Sequence, residues 1–63
     1  MRKETYEMYR GWGIYLIEDI KGFWVTVYAG HKNISLEFPE RTYEDAMSEA
    51  KFTIDWEMKA LGL

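Results

Sequence analysis

The 63-residue chain has no cysteine, one proline, one histidine and no apolar run near the about 18 residues that a membrane span needs. Each lack excludes something. Without cysteine there is no disulfide framework and no thiolate metal site, so a chain this short relies on packing alone, and a reducing compartment suits it. His31 stands in a turn beside Lys32, and no second imidazole completes a metal site. The hydroxyls of Thr26, Ser35, Ser48 and Thr53 have no histidine that the spacing would bring near them. The five glycines form no phosphate-binding pattern. Glu18 and Asp19 are adjacent carboxylates, but neighbours along a strand point to opposite faces, so they read as a strand end and a turn rather than an acid-base pair. The expectation is a protein that is not an enzyme and needs no cofactor and no metal. No signal-like apolar region follows a basic start, which places the chain in the cytoplasm and away from membranes.

Hydrophobic residues make up 48% of the chain and aromatics 17%, enough for one small domain over residues 1–63 and too few residues for a second. Eleven acids against eight bases give a formal net charge of -3. That balance argues against nucleic acid or an anionic membrane as the main partner. The acidity belongs to the second half of the chain, where seven acids face three bases over residues 33–63.

Pro39 divides a β-like half from a helical one. Trp12 to Glu18 is apolar and β-branched, Asp19-Ile20-Lys21-Gly22 has turn chemistry, and Phe23 to Tyr28 resumes a strand, so a hairpin is expected. Leu16 opposite Val25 sets Ile14 opposite Val27 and Ile17 opposite Trp24, with a loop of either two or four residues. Ala29-Gly30-His31-Lys32 forms a second turn, and the alternation from Ile34 to Phe38 marks a third strand. Residues 1–8 read as a flexible arm or an extension of the first strand.

Thr42-Tyr43-Glu44-Asp45 reads as a helix start, with Thr42 as the cap and acids suited to the helix dipole. The helix runs to about Leu61 and ends at Gly62. Its core stripe is Tyr43, Ala46, Met47, Ala50, Ile54, Met58 and Leu61. The fold class is therefore α+β: a three-stranded antiparallel sheet of order 1-2-3 with one C-terminal helix on one face.

Ile14, Leu16, Phe23, Val25, Val27, Ile34, Leu36 and Phe38 share the helix-facing side. Tyr15, Ile17, Trp24 and Tyr28 fall on the other side, which one helix cannot also cover. Phe52 and Trp56 lie four residues apart on the helix, away from its core stripe. These six residues form two candidate protein interfaces, one on the sheet and one on the helix, of a module that binds or inhibits a protein partner, and a second copy stacking its open sheet face is the simplest partner. The bland alternatives are that the N-terminal arm folds over the open face, or that the aromatics are only half exposed and cover their neighbours. A further alternative is a stacking platform for single-stranded nucleic acid, with Arg10, Lys21 and Lys32 nearby, although a basic groove is lacking. Lys51, Asp55 and Lys59 alternate in sign at helical spacing, as a solvated, salt-bridged face does.

The run from Ile14 to Lys59 also resembles the N-terminal domain of HicB-type antitoxins, which are small units with a partial ribonuclease-H-like fold. The resemblance is carried by the aliphatic strand ending in Glu18-Asp19, by Gly22-Phe23-Trp24-Val25-Thr26-Val27, and by Thr42-Tyr43-Glu44-Asp45-Ala46 with Glu49-Ala50 and Ile54. It implies a non-catalytic acidic protein that oligomerises and masks a basic toxin nuclease.

Overall fold

Three two-residue turns build the sheet. A computed structural model describes residues 2–62. Strands β1 (Lys3–Tyr9), β2 (Trp12–Asp19), β3 (Gly22–Ala29) and β4 (Lys32–Ser35) precede helix α1 (Tyr43–Ala60). The strands form one antiparallel sheet in the order β1-β2-β3-β4. Arg10 and Gly11, with φ of 52° and 81°, make the first turn, a conformation that matches the right-handed twist of a hairpin. In the second, Asp19 Oδ1 accepts from the Lys21 backbone N–H at 2.8 Å, the side-chain bond by which aspartate favours turns.

The central register is the expected one: Leu16 opposes Val25, Ile14 opposes Val27 and Ile17 opposes Trp24, and the loop between them has two residues. The sheet has four strands rather than three, because residues 3–9 pair along β2 with Tyr6 opposite Tyr15 and Met8 opposite Gly13. The N-terminal segment is thus neither an arm nor a cover, though Met1 lies outside the described residues. Its alternation is masked by glutamates and by Tyr9, which is why strand chemistry is faint there.

β4 is also shorter than expected. The ladder ends at Ser35, with one last bond from the Leu36 N–H to the Val25 carbonyl. The chain then swings outward and returns as a single bridge, in which Phe23 and Glu40 exchange backbone bonds of 2.8 and 2.9 Å. Phe38 therefore stands 73% exposed instead of joining the core. Gly22 is required at that bridge, since a Cβ there would lie 2.3 Å from the Glu40 carbonyl oxygen and its φ is 130°.

Helix α1 starts as its sequence dictates, with the Thr42 hydroxyl accepting from the Asp45 N–H at 3.0 Å. Gly62 beyond its end has φ of 80°. Ala46, Ala50 and Ile54 are fully buried against Trp12, Ile14, Leu16, Val25 and Val27. The two alanines let the helix backbone approach the sheet closely. Met47, Met58, Phe23, Ile34 and Leu36 flank this core, and the Trp12 indole N–H points at Met58 Sδ, 3.4 Å away. The ends of the expected helical stripe are not buried: Tyr43 and Leu61 are exposed.

Candidate functional site

The side of the sheet opposite α1 follows from the pleat. Cross-strand partners share a face, so Tyr6 and Met8 of β1, Gly13, Tyr15 and Ile17 of β2, Trp24, Thr26 and Tyr28 of β3, and Ser35 of β4 lie together. Four of the expected interface residues, Tyr15, Ile17, Trp24 and Tyr28, are gathered here. They are half-buried, as the second of the bland alternatives has it. Tyr6 and Met8 were not among the expected residues, yet they are the most open on this face, at 65% and 70% exposure. The signal for them was the even-numbered spacing of Tyr6 and Met8 with Arg10-Gly11 as a turn.

Several contacts fix the face before anything binds it. The Tyr6 and Tyr15 rings meet with centroids 4.7 Å apart and planes 37° apart. The Trp24 indole N–H donates to Asp19 Oδ2 at 3.0 Å, so the turn aspartate holds the largest aromatic. Tyr28 lies flat over Gly13, where a Cβ would come within 2.3 Å of its ring. Thr26 and Ser35 hydroxyls pair at 2.9 Å. The Glu4 carboxylate beside the Tyr15 hydroxyl pushes the phenol above its ordinary pKa. Arg2, Glu4 and Asp19 sit toward one end of the face, and its centre carries no charge.

The other two expected residues are on the far side of the molecule. Phe52 and Trp56 are exposed on α1, so the six form two separate surfaces, as the helical wheel expects. A groove of about 500 Å³ lies between α1 and β1, lined by Glu7, Tyr43, Glu44, Met47, Ser48 and Lys51. It exists because α1 crosses β3 and β2 and leaves the helix side of β1 open. The Tyr43 hydroxyl reaches across it to Glu7 Oε2 at 3.4 Å.

Two of the basic residues near the sheet, Arg10 and Lys32, turn to the helix side. Arg10 Nη1 donates to Asp55 Oδ1 at 2.8 Å, and the Tyr9 hydroxyl donates to the same oxygen at 3.0 Å. Lys32 Nζ pairs with Glu57 Oε1 at 2.6 Å. Asp55 thus bonds to β1 and its turn instead of entering the expected row with Lys51 and Lys59; Lys51 lies over the Tyr9 ring, 5.5 Å from its centre. The Arg10 guanidinium, helped by Tyr9, holds the Asp55 carboxyl below its ordinary pKa. The Lys21 backbone N–H does the same for Asp19, with Trp24 adding to it. A carboxyl depressed in the folded state contributes stability in full above the ordinary aspartate range and loses it as pH falls through the folded value. The melting temperature of the wild-type chain is therefore expected to exceed that of Asp55→Asn at pH 7, with the gap closing toward pH 2. Thermal melts followed by circular dichroism check this, and a gap of the same size at both ends of the range contradicts it.

No protein-family model, curated protein or solved structure matches the chain. No helix of the structure is long and apolar enough to cross a membrane, a statement confined to the described residues.

Proposed function

We propose that this protein is a non-enzymatic interaction module that self-associates through the open face of its sheet. One observation carries the reading: Tyr6, Met8, Tyr15, Ile17, Trp24 and Tyr28 form one continuous surface, and β1, the only segment sequence reasoning offered as a cover, widens that surface instead. An uncharged aromatic centre with charges at its margin is the composition of a protein interface.

A second copy fits the dimensions. Strands about 4.8 Å apart, three of seven or eight residues and one of four, span a face of at most about 19 by 23 Å. Stacking two such faces removes on the order of 1,000 Å² from water, the lower bound for a specific interface. Rigid rings that already touch one another lose little freedom on binding.

Two other readings use the same face less well. The antitoxin-like role implied by the resemblance of residues 14–59 calls for an acidic surface against a basic nuclease, whereas the centre of this face is neutral. A nucleic-acid platform calls for a basic groove, whereas Arg10 and Lys32 bond to helix carboxylates on the opposite side.

Light scattering coupled to size exclusion tests the reading. The expected mass is twice the 7.6 kDa of the chain, or more. A monomer persisting to high concentration overturns it.

A further inference from the structure

The outer face of α1 carries a second apolar patch, on the opposite side of the molecule from the sheet face. Phe52 and Trp56 are 64% and 62% exposed, and a spacing of four makes them neighbours on the helix. Beside them, a recess of about 230 Å³ is lined by Trp56, Lys59 and Ala60. Positions i, i+3 and i+4 of a helix form the hole into which a side chain of a second helix fits.

Charge on this face is ordered along the helix. Asp45 and Glu49 precede the aromatic pair and Lys59 follows it. Among the described residues, neither Glu49 nor Lys59 takes part in an ion pair. Asp55 is directed elsewhere, to Arg10 and Tyr9.

We infer that α1 is a second self-association surface, on which two copies of the chain pack their helices antiparallel about a twofold axis at the level of Ile54. A single register pairs both the aromatics and the charges of Glu49 and Lys59. Setting Phe52 against Trp56 of the other copy places the phenyl ring at the recess beside that indole. The same register sets Glu49 against Lys59 and leaves the small Ser48 and Ala60 opposite each other at the ends of the contact. Twofold symmetry makes each of these contacts twice. A parallel pair would bring Glu49 against Glu49, and antiparallel helices also oppose their dipoles favourably.

This surface goes beyond the sheet-face reading and stands without it. Where both are used, each chain has one partner on either side, and association continues past the dimer.

Charge exchange tests the register without disturbing the core. Glu49→Lys replaces two attractive contacts with two repulsive ones, and Lys59→Glu does the same. Each variant alone is expected to weaken the helix contact about tenfold, from the sum of two exposed pairs reversed in sign. An equimolar mixture of the two restores both attractions in every mixed pair, so sedimentation velocity should show the mixture assembling like the wild type. The inference is overturned if either variant alone sediments as the wild type does, or if the mixture associates no better than its components. The sheet-face reading is separated by the size of what remains. If it holds, each charge variant alone forms dimers as the wild type does and passes beyond the dimer only at about tenfold higher concentration. If it fails while the helix contact holds, the wild type stops at a dimer and each variant alone dimerises only at about tenfold higher concentration.

Discussion

Ile54→Ala is expected to lower the stability of the folded chain by about 3 kcal/mol, the middle of the range for removing a buried isoleucine side chain beyond its Cβ. Ile54 is fully buried, and it is the one large aliphatic side chain that α1 places wholly inside the core, since the other two fully buried helix positions are Ala46 and Ala50. Those small residues fix the helix close to β2 and β3, so the backbone has little freedom to collapse into the space left behind. A domain of this size has a total stability of only about 3–5 kcal/mol from its own core. The variant should therefore be largely unfolded at 37 °C, with a melting temperature more than about 12 °C below the wild type. Urea unfolding by circular dichroism, at one fixed protein concentration because association stabilises the folded form, measures it. Phe38→Ala, at an exposed loop position, is the control and should change stability by less than about 0.5 kcal/mol. A loss under about 1 kcal/mol for Ile54→Ala would show that the helix is not docked through this residue.

Trp24→Ala is expected to weaken self-association by about 2 kcal/mol or more, roughly thirtyfold in the dimer dissociation constant. Its ring lies beside Ile17 toward the β2–β3 turn and is held by the 3.0 Å bond from its indole to Asp19. The side chain faces away from α1, so the fold should persist with an unchanged far-ultraviolet spectrum. The measurement is the mass distribution against concentration for wild type and variant. If the two curves coincide, the open face is not where copies meet. The Glu49 and Lys59 variants then report on the helix surface by itself.

Much of this architecture was legible in the sequence. The β2–β3 register followed from Leu16 and Val25, the helix start from Thr42 and Asp45, and the aromatic face from the parity of Tyr15, Ile17, Trp24 and Tyr28. β1 was not legible as a strand, because Glu4 and Glu7 interrupt its pattern and its helix side is only partly covered, so little selection for apolar residues acts there. Phe38 was misread for a different reason. It continues the alternation of Ile34 and Leu36, but the ladder stops at Ser35 so that Glu40 can reach Phe23, and alternation alone does not report where pairing ends. The candidate interface was half legible: the residues on one strand pair were found, while Tyr6 and Met8 needed the register of β1. That Phe52 and Trp56 belong to a different surface followed from the helical wheel, whereas the recess beside Trp56 needed coordinates.

The order of elements along the chain has a consequence for synthesis. All four strands precede the helix that covers them, and each pairs with the next through a two-residue turn, so the sheet can close as it emerges from the ribosome. About 25 more residues must follow β4 out of the ribosome before the helix is complete. Until they do, a closed sheet has neither face covered.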